Sequence, residues 1–294
     1  MTLDQAIQQL LTHQLASGRS PHTIGAHQRD LRLLVACLGP DAEVADITAA
    51  DLDTFFLDER VTCQAGGSPK ASTSINRTRS TVKAFFRLLA ENGHLDRNPA
   101  AGISIRRTCR KPPVYLTSDE VRTLLKTIRA HKGWQAERDL VIVQLFLHTG
   151  IRLSELVNLD IADVNLIEKR ITIKAKGGQT VTRFLNTKVR AVLHRYLKER
   201  RKTFVESQAL FLSQLQDRIT ARQVQRRLDQ WITKAMIDKR ISPHGLRHTF
   251  ACSLYSRTSN LLAVQQALGH ANVSTSQVYI HLVDETLEEA LNTL

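Results

Sequence analysis

Several shortages narrow what this chain can be. Cysteine is sparse: Cys37, Cys63, Cys109 and Cys252 are the four present. Their spacing matches neither a CxxC pair nor a zinc-ligand pattern, so ordinary reduced thiols are expected, and with them a cytoplasmic location. Long apolar runs are missing, with no stretch near the roughly 18 residues a membrane-spanning helix needs. The opening residues, MTLDQAIQQLLTHQ, lack the basic n-region and apolar core of a signal peptide. There is no internal repeat and no low-complexity tract. Acidic charge is the remaining shortage: 28 Asp+Glu stand against 41 Lys+Arg, for a formal net charge of +13 and a pI near 10.0. That balance points to a polyanionic partner, nucleic acid before membrane.

What is present suits two domains of ordinary size. The chain has 294 residues, of which 42% are hydrophobic, enough for normal cores and against wholesale disorder. Residues 1–110 hold 13 Lys+Arg and 11 Asp+Glu, whereas residues 111–294 hold 28 and 17. The positive excess therefore belongs to the second half.

Helical periodicity dominates the first half. Leu3, Ile7, Leu10 and Leu11 mark a helix over residues 3–17, and Gly18 ends it. Ser20-Pro21 reads as a cap with proline in the first turn of a second helix, which runs to about Leu38. A third helix is expected over 49–59 and a fourth over 72–92, with Ile75, Val82, Phe85, Phe86 and Leu89 as its stripe. That fourth helix has a polar flank of Asn76, Arg79, Lys83 and Arg87, with Arg77 nearby. The flank reads as a solvated face, with a face laid on DNA phosphates as the alternative. Residues 103–113, ISIRRTCRKPP, have linker composition, and Arg106, Arg107, Arg110 and Lys111 could track a phosphate backbone. The expected division is a helical domain over 1–102, a basic linker over 103–115 and a second domain over 116–294.

In the second half, helices are expected over 117–131, 136–149, 187–201 and 221–238. Ile171 and Ile173 alternate with Thr172 and Lys174, followed by turn residues Lys176-Gly177-Gly178-Gln179 and a returning strand. Lys176 continues the polar side of the first strand. Ser242-Pro243 caps a helix with the stripe Leu246, Phe250 and Leu254, and His244 and Arg247 lie one turn apart on a face beside it. An Arg and a His near a helix N-terminus make a plausible phosphate clamp. Asn260 to Leu268 forms a short helix, Gly269 suits its C-cap, and His270 follows. Tyr279 sits on the next helix, and residues 284–294 close the chain as an amphipathic helix with one acidic side.

Singly these residues carry little, but their order is specific. HTGIRLSEL, IKAKGGQTVTRFL, HGLRHTFA, ALGH and SQVYIHL resemble, in that order, the active-site motifs of the tyrosine recombinase (phage integrase) family, most closely its short two-domain Xer-like members. The match assigns Arg152, Lys176, His244, Arg247 and His270 to the family's catalytic set and Tyr279 to its nucleophile. SPHTIGAHQRDL and SINRTRSTVKAFFRLLAENGHLDRNPA resemble the family's core-binding helices, although His27 stands where Tyr is common. No extra arm-binding domain is expected ahead of them.

The resemblance implies a mainly α fold: an N-terminal four-helix, SAM-like core-binding domain, then a mixed α/β catalytic domain with a small three-stranded sheet. It also implies a nucleoid-associated DNA strand transferase that needs neither metal nor ATP and no other cofactor, working through a 3′-phosphotyrosine in integration, excision or resolution of DNA elements. The expected partner is double-stranded DNA with an inverted-repeat core site, bound by a homo-tetramer or by a hetero-tetramer with a related recombinase, with residues 284–294 docking on a neighbouring protomer. Arg77, Arg79, Lys83, Arg87, Arg106 and Arg107 are the candidate DNA contacts. A type IB topoisomerase-like nicking-closing enzyme and a non-catalytic DNA-binding protein of the same fold are the alternatives.

Overall fold

A computed structural model describes residues 1–106, 113–174, 180–202 and 206–269. The chain divides into two compact units, Met1–Arg110 and Lys111–Leu294.

The first unit contains α1 (Leu3–Ala16), α2 (Pro21–Leu38), α3 (Ala49–Leu57), the single turn α4 (Glu59–Thr62) and α5 (Ser72–Glu91). Side-chain caps start the first three: Thr2 with Gln5, Ser20 ahead of Pro21, and Thr48 with Asp51. Each cap satisfies backbone N–H groups that have no partner within the helix. Leu3, Leu31, Leu34, Leu52, Phe55, Val82, Phe85 and Phe86 form the core. Asp30 is buried within it. Its carboxylate accepts from Arg77 Nε at 3.0 Å and Nη2 at 2.8 Å, from Thr78 Oγ1 at 3.1 Å and from Thr81 Oγ1 at 3.1 Å. A buried carboxylate is tolerable only when its lone pairs are filled in this way.

The segment after α5 lies along that helix. Lys83 Nζ donates to Ile103 O at 3.0 Å, Arg79 Nη1 to Ser104 O at 2.9 Å, and Asn76 Nδ2 to Arg106 O at 2.7 Å. The expected linker thus begins as a strand of backbone fastened to the first unit.

The second unit contains α6 (Ser118–Ala130), α7 (Trp134–Thr149), the short α8 (Leu153–Val157), β1 (Val164–Asn165), β2 (Arg170–Lys174), β3 (Thr180–Phe184), α9 (Thr187–Lys202), α10 (Ala221–Lys234), α11 (Pro243–Thr258) and α12 (Leu261–Leu268). The strands form an antiparallel sheet in the order β1-β2-β3. Helix α7 is central, packing on α6, α9 and α11. It is buried all round because Leu140, Val141, Ile142, Val143, Leu145 and Phe146 leave it no polar face. Asp139, within α7, accepts from Arg138 Nη2 at 2.8 Å, Arg227 Nε at 2.6 Å and Trp231 Nε1 at 2.9 Å. Helix α10 stops at Lys234, short of residue 238, because Met236 adopts φ 52°. No helix among the described residues is long and apolar enough to cross a membrane.

Candidate active site

The site assembles where α7, α11 and α12 end or begin together. Helix α7 terminates at Gly150, which takes a left-handed φ of 59°. A Cβ there would lie 2.5 Å from Phe250 Cδ1 and 3.0 Å from Leu268 Cδ2, so both space and φ demand glycine. Two residues on, Arg152 is the N-cap of α8. Its backbone N–H donates to Glu155 Oε2 at 2.9 Å and its Nη1 to Glu155 Oε1 at 2.8 Å. Glu155 is buried, while the Arg152 side chain is 43% exposed. Arg152 Nη2 also reaches Gly269 O, at the long distance of 3.5 Å.

Arg247 comes from the second turn of α11. The helix starts there because Ser242 accepts from Gly245 N and Pro243 occupies the first turn. Sequence places Arg247 beside the apolar stripe; in the structure it is itself buried, 3% exposed, while Phe250 and Leu254 are only partly covered. Its Nη1 donates to Gly150 O and its Nη2 to Leu268 O at 2.7 Å. Both carbonyls lie at helix C-termini, where the partial negative charge of unpaired C=O groups favours a cation. The guanidinium is thereby clamped between the ends of α7 and α12.

His244, one turn before Arg247, stays accessible at the rim and meets His248 edge-on, with ring centroids 4.4 Å apart. Partial burial lowers its pKa, and the charges of Arg247 and then Arg152 lower it further. A neutral imidazole at neutral pH can take a proton. His148, at the end of α7, is lowered too, by burial first and then by Lys188 and Arg257, and Asn186 Nδ2 lies 3.0 Å from its Nδ1.

Arg152, His244 and Arg247, predicted from three motif positions, therefore converge. Lys176, His270 and Tyr279, the other three, lie outside the described residues, as do residues 284–294 and Arg107. The candidate DNA contacts in the first unit divide. Arg77 is paired with Asp30 at 2.8 Å, and Arg79 and Lys83 hold the chain after α5. Arg87, exposed, faces Glu91 at 3.7 Å, and Arg106 is exposed, with its backbone held by Asn76.

Two residues of the site were not singled out from sequence. Glu155 orients Arg152 from three residues away, a spacing that a capping-box search detects. Arg183, on β3, pairs in register with the buried Ile171 and so occupies the inward side of the hairpin. Its signal is a charge where strand alternation calls for an apolar side chain.

Comparison with known proteins covers both units. Residues 114–286 match the profile described as Phage integrase family, and residues 7–93 match the Phage integrase, N-terminal SAM-like domain. Tyrosine recombinase XerC of Chromobacterium violaceum is 33% identical over 280 residues, covering 95% of this chain and 91% of the relative. XerC of Pelobacter propionicus is 34% identical over 271 residues, covering 92% and 88%. The crystal structure of XerH site-specific recombinase bound to palindromic difH substrate superposes with a TM-score of 0.77 at 23% identity, covering 98% of this chain and 84% of that one. Matched through both halves, and aligned along nearly its whole length with recombinases at a third of positions identical, the chain belongs to the phage integrase family of tyrosine recombinases.

Proposed function

We propose that this chain is a site-specific DNA recombinase that cuts and rejoins strands through a 3′-phosphotyrosine on Tyr279. The observation that carries the proposal is the convergence of Arg152, Arg247 and His244 at the junction of α7, α11 and α12, in the order in which the family's motifs occur. Tyr279 Oη attacks the scissile phosphorus, and its proton passes to the neutral His244. The bond to the 5′-oxygen breaks, and Lys176 protonates that oxygen as it leaves. Attack by a 5′-hydroxyl of another strand reverses the sequence and frees Tyr279. The phosphodiester energy stays in the phosphotyrosine, so no nucleotide hydrolysis is needed. Arg152 and Arg247 hold the non-bridging oxygens and stabilise the charge gathered in the transition state. His270 hydrogen-bonds the same phosphate.

The partner is double-stranded DNA with an inverted-repeat core site. Four protomers, identical or shared with a related recombinase, act on two duplexes, because each exchange needs four tyrosines. In the first unit, Arg87 and Arg106 are the side chains best placed to meet phosphates, since Arg77, Arg79 and Lys83 already serve internal carboxylate and carbonyl partners. Residues 284–294 dock on a neighbouring protomer.

A nicked suicide substrate tests the chemistry. Wild type should form a covalent protein–DNA adduct, and Tyr279→Phe should bind the same DNA and form none. An adduct trapped by Tyr279→Phe would remove the nucleophile assignment.

A further inference from the structure

We propose that Arg183 is a third guanidinium of the active site and donates to the scissile phosphate beside Arg152. The inference rests on the recombinase reading above and extends it to a residue outside the six motif positions.

The position of Arg183 is the first support. Opposite residues of an antiparallel pair project to the same face, and Arg183 is opposite Ile171, which is fully buried. The side chain is therefore turned inward and half-buried. It reaches the end of α12, where a Cβ built on Gly269 would sit 3.2 Å from Arg183 Nη2. Arg152 Nη2 approaches the carbonyl of the same Gly269. The two guanidiniums thus meet at one residue, immediately before His270.

The second support is the absence of hydrogen-bond partners among the described residues. Arg138 shows what a structural buried arginine looks like in this fold: Nε and Nη2 donate to Asp139 and Nη1 to Leu212 O. Arg183 makes no hydrogen bond among the described residues, and its Nε is buried without an acceptor. Burial lowers its pKa; Glu155 pulls the value back up, and the neighbouring Arg152 lowers it again. A half-buried cation beside a like charge, with unused donors, is costly to keep. An oxyanion arriving between Arg183 and Arg152 removes that cost.

Charge balance agrees. Arg152, Arg183 and Arg247 against Glu155 leave a net charge of +2 in the pocket. A phosphodiester carries one negative charge, and once the attacking phenol has lost its proton the five-coordinate transition state carries two. The pocket therefore complements the transition state better than the ground state, which is the condition for catalysis.

The test uses the full chain with Arg183→Met and Arg183→Lys. Methionine keeps the length of the side chain and suits a site facing Ile171, so stability of the second unit should be unchanged or raised. Cleavage of the suicide substrate at saturating DNA should fall about 10²-fold in Arg183→Met, the usual loss for one electrostatic donor. Arg183→Lys keeps the charge without the planar fork and should lose about tenfold. Dissociation constants for DNA should stay within threefold, because one phosphate contact among many is removed. A packing role would instead make methionine at least as active as lysine. Cleavage by Arg183→Met within threefold of wild type overturns the proposal, as does a loss matched by equally weakened DNA binding. Should Arg183→Met not fold, cleavage by Arg183→Lys within threefold of wild type overturns it. A wild-type chain that forms no adduct takes down the recombinase reading and this inference together, whereas a normal wild-type adduct confines any failure to Arg183.

Discussion

Replacing Gly150 with alanine should damage the fold and the site through one atom. The residue has φ 59°, and its missing Cβ would fall 2.5 and 2.8 Å from two ring carbons of Phe250 and 3.0 Å from Leu268. Left-handed backbone costs a non-glycine residue about 1–2 kcal/mol. Forcing a methyl into a packed contact costs about 1–3 kcal/mol more. Against these, alanine restricts the unfolded chain and returns about 0.4–1 kcal/mol, so the net loss should be about 1–4.5 kcal/mol. Phe250 and Leu268 lie on α11 and α12, so relief of the clash pushes those helices from α7. Arg247 is anchored on the carbonyls of Gly150 and Leu268, so the same movement misplaces the clamp. Cleavage should fall at least about tenfold even where the variant is fully folded, as expected when a catalytic group shifts by a fraction of an ångström. Urea unfolding followed by tryptophan fluorescence isolates the effect, since Trp134 and Trp231, the two tryptophans, both lie in the second unit. The slope with urea should be unchanged and the midpoint lowered. A stability change below about 0.5 kcal/mol, the range of an inert surface substitution, would refute the argument that Gly150 is fixed by both φ and space.

Three further outcomes separate the roles of neighbouring groups. Arg152→Ala and Arg247→Ala should each slow cleavage by about 10²–10³. Both should also lower the urea midpoint: Arg247→Ala leaves two helix-end carbonyls without their donor, and Arg152→Ala leaves the buried Glu155 carboxylate without its side-chain partner, at about 1–3 kcal/mol for each group left unsatisfied. Cleavage measured at low DNA concentration should fall as pH drops below the ordinary histidine value, because His244, lowered by burial and two arginines, must be neutral to accept the proton. The sign for stability is the same: His148 and His244 hold their protons less tightly folded than unfolded. The unfolded chain thus protonates first, and stability is lost as pH falls through the unfolded value of about 6.5 toward the lower folded value. A midpoint that rises on acidification from pH 7.5 to 5.5 would contradict this. Deleting residues 284–294 should leave cleavage of a single site intact and impair formation of the paired complex in a gel-shift assay; unchanged recombination would remove the docking role.

Much of the fold could be read from the chain because helix ends carry local chemistry. Ser20 and Ser242 with their following prolines, Thr117 with Glu120, and Asn260 mark starts that depend only on residues within one turn. The all-apolar run of α7 likewise reports its own burial. Contacts between distant positions left no such trace. The flank of α5 shows this most clearly: on periodicity it is a solvated face, yet Arg77 is drawn to Asp30, 47 residues earlier, and Arg79 and Lys83 are drawn to carbonyls about 20 to 25 residues later. Lone carbonyls and a buried carboxylate are stronger partners than water for these cations, but nothing local identifies them.

The residues proposed for catalysis divide along the same line. Motif order marks Arg152, His244 and Arg247, and a helix turn explains why His244 and Arg247 are near each other. Why Arg247 is buried follows only from the packing: two helices, α7 and α12, end on the same point, and each presents a carbonyl that needs a donor. A single guanidinium satisfies both, and in doing so is held before any DNA arrives. Pre-fixing of this kind is what makes an electrostatic donor effective, since no reorganisation remains for the transition state to drive. Arg183 was missed for a related reason. The alternation of Ile171 and Ile173 shows which side of β2 faces inward, but only the register that pairs Ile171 with Arg183 shows that the arginine shares that side. A hairpin one residue longer or shorter would have turned it to solvent. Its place beside Arg152 is therefore a property of the β2–β3 register as much as of the arginine itself, and a variant in which that register is shifted by one residue should lose the contribution of Arg183 while leaving Arg152 and Arg247 clamped.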